Sequence, residues 1–501
     1  MANYKTYNYD QMMMVPVVLS QQLMPGTLEY AIHHLVENCI DMSIFNRRYQ
    51  NDFTGAPAYD PKILLKVILA GYSRGLVHSR KIENACRENI VFIALCCGKA
   101  PDYSTICNFV KYMETELISV FRDILFVCDK EGLLGGTRLA LDGCKLPSNA
   151  SQDWSGTHKQ FENKLKRMEK KVKNILQKHI TQDEQDRKDR PENANKQIKK
   201  LERNIKKIQS FLDSHEPKTG SKTEEVKSNI TDNDSAQMMT SHGPIQGYNA
   251  QALVDSKHQI IVSCEASGDG QDHNHVPPLL DQAKANFQAI GKPENYLEGQ
   301  ELLCDASYHS QDNLSKSVQE KMDPYIPDVN YRKRDPRFID KKKIRFSPAD
   351  FAYDEENDQY VCPFGSALKL QCKNAKKGKK LYRKYVSNPS DCANCPLRSR
   401  CLAKEKTKRR HLYVYQDRAA EQLSRQIYQK LATEEGRAIY DTRASIVEPV
   451  FGNIRVQKRL DRFTLRGRTK VNIQWRLYVI IHNMEKLARY GSEKAFIPVM
   501  T

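Results

Sequence analysis

The sequence predicts an α/β (α+β) fold: a mixed sheet with flanking helices, preceded by a helical N-terminal module and interrupted by a helical hairpin and a small zinc-stapled insertion. Three observations predict it. Two short apolar runs ending in an acid, TRLALDGCKL and ELLCDASYHS, read as buried strands. Around them the pattern runs strand, hairpin, helix, strand, helix, the alternation of a mixed sheet. Two lysine-rich helical arms and one cysteine-bearing polar stretch break that alternation. At 501 residues the chain is long enough for about three or four domains.

Residues 1–135 read as a helix-turn-helix-like module. Its first helix has Asp60 as N-cap and Pro61 at the first helical position, and it closes near Gly75. A second helix starts at Ser79. A longer one follows Ser104, with Ile106, Phe109, Val110, Met113, Leu117, Val120, Phe121 and Ile124 at helical spacing. Arg74, Arg80, Lys81, Arg87 and Lys99 fit phosphate contacts, and fit a solvated face as well.

Residues 136–350 carry the first part of the sheet domain, and Asp142 ends its first strand as the first candidate acid. A hairpin of helices is inserted over 160–215. One arm holds Leu165, Met168, Val172 and Ile175, the other Ile198, Leu201, Ile205, Ile208 and Leu212, with Pro191 in the polar link between them. The hairpin is open to two readings, a contact with DNA or a second protomer and a plain spacer. GYNAQALVD and QIIVSCEA, joined at Ser256-Lys257, predict a β-hairpin, followed by a helix over 275–288. Asp305 then ends the next strand, ahead of a helix from about 311 and a strand at DPYIP. Residues 332–346 form an exposed basic stretch. The last segment, 408–501, is helical over 420–489 and carries Glu448, then an apolar helix with Trp475, Leu477, Ile480, Ile481 and Met484.

Within 351–407, Cys362 and the run Cys392-x2-Cys395-x5-Cys401 supply four thiolates suited to tetrahedral Zn²⁺ in a stretch too polar and loop-rich to fold without a staple. A redox pair and free thiols are the alternatives, and Cys372 or His411 could replace one ligand. Lys373, Lys376, Lys377, Lys379, Lys380, Arg383 and Lys384 lie inside that loop, interleaved with Tyr382 and Tyr385. They suit duplex phosphates, and equally a solvated turn. Cys39, Cys96, Cys97, Cys107 and Cys128 sit singly in apolar helical patterns, as reduced core thiols do.

A formal charge of +18 and a pI near 9.1 make nucleic acid the default partner, with a merely basic soluble protein as the alternative. No run of about 18 apolar residues predicts a membrane span. The N-terminus lacks the features of a secretory leader, so a cytoplasmic, nucleoid-associated protein is expected.

Two aspartates at adjacent strand ends plus a helical glutamate suit a pair of divalent ions, Mg²⁺ or Mn²⁺, for phosphoryl transfer. With 61 acidic residues, that pattern alone selects no triple. Motif order does. LDGCKL, CDASYHS and YDTRASIVEPVFGNIR resemble the three blocks of the DDE transposases of bacterial insertion sequences, and in the third Tyr440, Arg443, Glu448, Phe451, Gly452 and Arg455 follow the family's order. FTGAPAYDPKILLKVILAGYSRGLVHSRKIE and PDYSTICNF look like the helical module that precedes the catalytic domain, and GYNAQALVD like the hairpin between the aspartates.

The resemblance implies an RNase H-like catalytic domain that cleaves DNA at an element's terminal inverted repeats and joins the freed 3′-hydroxyls to target DNA, working as a homo-oligomer. Asp142, Asp305 and Glu448 are its implied catalytic and metal-binding residues, and Tyr440, Arg443 and Arg455 its implied DNA contacts. An inactive DNA-binding regulator and a nuclease without strand joining are the alternatives. The chain departs from the family pattern at Arg455 (often Lys), Cys144 (often a hydroxyl) and Gln474 (often an acid). On a helix Glu448 and Arg455 would share a face. Pro449 predicts a kink or a fresh helix start at Glu448. Asp255 and Asp272 are lesser candidates.

Overall fold

The structure, a computed structural model, describes residues 17–49, 57–183, 192–220, 224–335, 337, 345–377, 380–402 and 404–492. The N-terminal part contains α1 (Leu28–Asn38), α2 (Pro61–Ser73), α3 (Ser79–Glu88), α4 (Ile90–Leu95), α5 (Tyr103–Tyr112) and α6 (Glu114–Lys130). α2 begins as expected, with the Asp60 carboxylate accepting the Lys62 N–H at 2.8 Å, and the chain turns at Gly75, where φ is +73°. The long helix expected after Ser104 is instead two. Asp102 caps α5 by accepting the Ser104 and Thr105 N–H groups, and the chain breaks at Met113, whose side chain is fully buried. The break lets α5 and α6 turn their apolar faces toward one core.

Next come β1 (Arg138–Pro147), β2 (Ser155–Gly156), α7 (His158–Asp183), α8 (Glu192–Ser214), β3 (Ser228–Asn229), β4 (Ala236–Thr240), β5 (Gly243–Asp255), β6 (Ile261–Ser267), α9 (Val276–Ala289), β7 (Glu301–Cys304), α10 (Gln311–Gln319), β8 (Asp323–Tyr325) and α11 (Tyr331–Arg334). The central sheet runs β6-β5-β1-β7-β8, with β4 beside β6 on the far edge of β5. β6, β5 and β1 are antiparallel, while β1, β7 and β8 are parallel. This mixed sheet is consistent with an RNase H-like α+β fold. β2 and β3 form a two-residue ladder at the base of the inserted hairpin.

α7 and α8 pack on each other around Phe161, Ile208 and Phe211, with Leu165, Met168 and Leu212 against them. Phe161 and Phe211 lie outside the expected seam because they close the hairpin at its base, where Trp154 joins it. Pro191 lies outside the described residues.

A second sheet follows: β9 (Ala352–Asp354), β10 (Gln359–Val361), β11 (Ala367–Lys377) and β12 (Lys380–Ser387), then α12 (Pro389–Ala393), α13 (Arg398–Cys401) and β13 (His411–Tyr415). It is antiparallel in the order β13-β12-β11-β10-β9. The loop-rich stretch expected here is therefore largely strand. Phe351, Tyr360, Leu368, Tyr385, Leu412 and Val414 give it a core of its own, because alternate residues of otherwise polar strands point inward. Of the basic stretch 332–346, residues 336 and 338–344 lie outside the described residues.

α14 (Arg418–Ala432) and α15 (Glu434–Gly452) lead through a π-helical turn, Asn453–Gln457, toward α16 (Arg468–Tyr490). α16 is buried on nearly all sides, packed between β6 and the N-terminal helices α1, α2 and α6. One apolar core thus runs from the N-terminal helices through the central sheet to α16. No described helix is long and apolar enough to cross a membrane.

Candidate active site

Leu139, Ala140 and Leu141 anchor β1 in the core, and the strand runs past Asp142 to Pro147. Asp142 is therefore not at a strand end, as expected, but in mid-strand. The reason lies in its neighbours. β5 keeps pairing with β1 as far as Pro147, whereas β7 stops at Cys304, opposite Leu141. Asp142 and Asp305 are the next residues of the two parallel strands, so they emerge side by side where that pairing ends. Gly143 leaves room here for the buried Gln251 side chain, whose Nε2 would lie 2.1 Å from a Cβ at this position.

The Arg443 guanidinium donates to Asp142 Oδ2 at 2.8 Å, with the two side chains 18% and 24% exposed. Burial pushes the Asp142 carboxyl up from its ordinary value, and the charge of Asp305 adds to that. Arg443 and the Gly143 N–H oppose the rise. Arg443, expected as a DNA contact, also pairs with Asp142.

Asp305 opens a 3-10 turn and accepts the Ser307 N–H at 2.7 Å and the Ser307 hydroxyl. The same hydroxyl reaches Asp272 Oδ2 at 3.0 Å. Asn249 and Gln251 donate to Asp272 Oδ1 at 2.7 and 3.0 Å, and Tyr308 donates to Gln251. Asp272 therefore buttresses Asp305 through Ser307. That link was not legible in the sequence, because it joins a loop, a hairpin and a turn far apart along the chain. Asp255, the other lesser candidate, is fully enclosed and accepts the Gly135, Gly136 and Lys257 N–H groups. It organises a loop.

Glu448 lies within α15, which continues through Pro449 and packs on β1, β5 and β7. Of the kink or fresh helix start expected at Pro449, the fresh start is absent. Proline leaves the Ser445 carbonyl without its helical donor, and Gln259 Nε2 supplies one at 2.8 Å. The Glu448 side chain is exposed and lines a cavity of about 190 Å³ with Arg332, Arg337, Tyr440 and Arg443. Tyr440 also packs edge-on against Tyr331, 5.3 Å between ring centres. Arg455 stands on the π-turn that follows α15, so the regular α-helical spacing assumed for Glu448 and Arg455 does not run unbroken over those seven residues. Its charge is felt by Cys144, whose thiol burial pushes up to about 12.

Elsewhere, Arg80 lies over the Tyr103 ring at 4.7 Å and Lys81 is exposed. Arg74 and Arg87 are engaged by Glu29 and Glu83, which favours the structural reading for that pair. Lys376 and Lys377 are exposed on β11; Lys379 and the Lys380 side chain lie outside the described residues. Cys362, Cys392, Cys395 and Cys401 line one small cavity of about 30 Å³. Burial first, then the other three thiols, push Cys401 up. Neither Cys372 nor His411 lines that cavity; both are exposed. Among the described residues no three His, Cys, Asp or Glu side chains stand close enough together to hold a metal ion. The donor chemistry still fits two kinds of ion. Asp142, Asp305 and Glu448 offer only hard carboxylate oxygens, and the other cluster only thiols.

A family model described as Transposase DDE domain matches residues 361–488. A second, described as Transposase domain (DUF772), matches residues 17–112. Glu448, Tyr440, Arg443 and the four clustered cysteines fall within the first match, while Asp142 and Asp305 lie between the two. No curated protein and no solved structure matches the chain.

Proposed function

Because the chain belongs to the DDE transposases of insertion sequences, enzymes that cut and rejoin DNA, we propose that Asp142, Asp305 and Glu448 are the three carboxylates of its phosphoryl-transfer site. The observation that carries this is the Arg443–Asp142 ion pair. It ties the segment bearing Glu448, five residues on, to the strand whose parallel neighbour leads into Asp305.

Divalent ions bound at these carboxylates, Mg²⁺ or Mn²⁺ and two in number, supply charge neutralisation on the phosphate and activation of the attacking oxygen. The chain's own groups do the rest. Asp142 and Asp305, adjacent on a rigid sheet, fix one end of the site. Glu448, exposed on α15, is carried by a helix anchored on the three strands β1, β5 and β7. Asp272 and Ser307 hold the Asp305 carboxylate in one orientation. Arg332 and Tyr440 line the cavity beside Glu448 and suit the phosphate next to the scissile one. In hydrolysis the water oxygen bonds to phosphorus as the bond to the 3′ oxygen breaks; in joining, that 3′-hydroxyl replaces water.

On the same reading the substrates are the element's terminal inverted repeats and target DNA, gripped by a homo-oligomer in the cytoplasm at the nucleoid. The net charge of +18 supports a polyanionic partner. Arg80, Lys81, Lys376, Lys377 and Arg455 are the exposed cations that suit its phosphates. Cys362, Cys392, Cys395 and Cys401 hold a structural Zn²⁺ that staples α12 and α13 to the second sheet.

The test is cleavage and joining of labelled element ends with Mg²⁺ or Mn²⁺. Asp305→Asn and Glu448→Gln are each expected to lose at least about 100-fold in rate while still binding the ends. Undiminished cleavage in both variants would sink the assignment.

A further inference from the structure

The outer face of the second sheet carries a group of rings that the reaction above does not use. Tyr382 on β12 stands opposite Tyr415 on β13, and Lys384 opposite Tyr413. Side chains alternate along a strand, so these four share one face, while Tyr385, Leu412 and Val414 point into the core. The Tyr382 ring lies 6.4 Å from that of Tyr413, edge-on at 90°, and 6.4 Å from that of Tyr415 at 26°. Lys377 Nζ and Lys384 Nζ stand 5.2 and 5.8 Å from the centre of the Tyr413 ring. β11, β12 and β13 contain no Asp or Glu at all. A sheet face stabilised only by cross-strand tyrosine pairs has no need to exclude acids while gathering lysines.

The face reaches the turn that follows Asp305. Tyr415 stacks at 6.2 Å on His309, four residues after Asp305, and His309 is held by the Ile326 carbonyl at 2.7 Å and by Ser424.

We propose that this face binds single-stranded DNA, with bases stacking on Tyr382 and Tyr413 and phosphates held by Lys377 and Lys384. Half-exposed rings among cations suit a strand whose bases are free to stack, whereas a duplex keeps its base faces covered and gains only from the lysines. The proposal rests on the reading of the Asp305 site as the place where DNA is cut, since a strand end released there lies beside the platform.

The experiment is fluorescence anisotropy of the full chain with labelled oligothymidine of about 12 nucleotides and with a duplex of the same length. Tyr413→Ala is expected to weaken single-strand binding by roughly 5- to 150-fold. Tyr413→Phe, which keeps the ring, should stay within about twofold of the parent, and duplex binding should hardly move in either variant. No loss on the single strand, or an equal loss on the duplex, overturns the proposal. Should Tyr413→Ala fail to fold, photocrosslinking of the unaltered protein to a bromodeoxyuridine-substituted strand decides. Crosslinks within 380–387 or 411–415 support the platform, and crosslinks only elsewhere overturn it. None of these readouts needs cleavage, so the loss of cleavage in Asp305→Asn reports on the site separately.

Discussion

At Asp142 burial and charge pull against each other. Burial raises the carboxyl, and the one cation that touches it, Arg443, holds it back. A group raised in this way is ionised only as the pH climbs through its raised value, so activity that needs the carboxylate falls away on the acid side. Arg443→Gln removes the opposing charge. The acid limb of the pH–rate profile for cleavage is then expected to move to higher pH than in the parent protein; a limb that stays in place would show that Asp142 does not titrate there. His482 shows the opposite sign. It is enclosed on α16, one ring nitrogen against the Gln259 carbonyl at 2.9 Å, and burial lowers it to about 4 from 6.5. With the folded value below the unfolded one, its contribution to stability is whole above pH 6.5 and is lost as the pH falls through 4, about 3 kcal/mol in all. The drop in Tm between pH 7.5 and 5 should be smaller in His482→Gln than in the parent. Equal drops in the two proteins would refute the assignment.

At the scale of elements, the central sheet was legible and its edges were not. The strands at Asp142 and Asp305, the hairpin of β5 and β6 and the capped α2 follow from apolar runs and turn chemistry that act locally. What the sequence hid depends on partners far along the chain. β1 outruns Asp142 because β5 continues beside it, and α15 survives Pro449 because Gln259 reaches across to the orphaned Ser445 carbonyl. The break at Met113 answers to the core rather than to any local signal. In the second sheet, alternation was masked by the many lysines, so strands read as loop. Its six-residue core is small for five strands, which makes the cysteine cluster the element's natural brace. Protein purified without chelator is expected to carry about one Zn²⁺ per chain. Stripping it should expose residues 351–415 to limited proteolysis while the central sheet stays protected. Equal protection of the stripped and loaded forms would remove zinc from the account.

Over the whole molecule, the N-terminal helices and the catalytic sheet are not independent bodies joined by a linker, because one core includes both and α16 is its spine. Tyr478 marks the joint. It is fully buried on α16, 5.5 Å from Tyr72 of α2. Truncating such a ring removes contacts on both sides at once, and Tyr478→Ala is expected to cost about 3–5 kcal/mol. The Tyr478 hydroxyl has no hydrogen-bond partner among the described residues, so Tyr478→Phe sheds an unsatisfied polar group and should be neutral or slightly stabilising. Differential scanning calorimetry separates the outcomes. If the shared core couples the two parts, Tyr478→Ala lowers Tm for them together, in one transition that contains both. If they fold separately, the variant splits the trace, and an N-terminal transition moves while a catalytic one stays. Coupling of this kind has a consequence for function. A helical module that cannot move as a rigid body without opening the core holds Arg80 and Lys81, the proposed DNA contacts, in a fixed relation to Asp142 and Asp305.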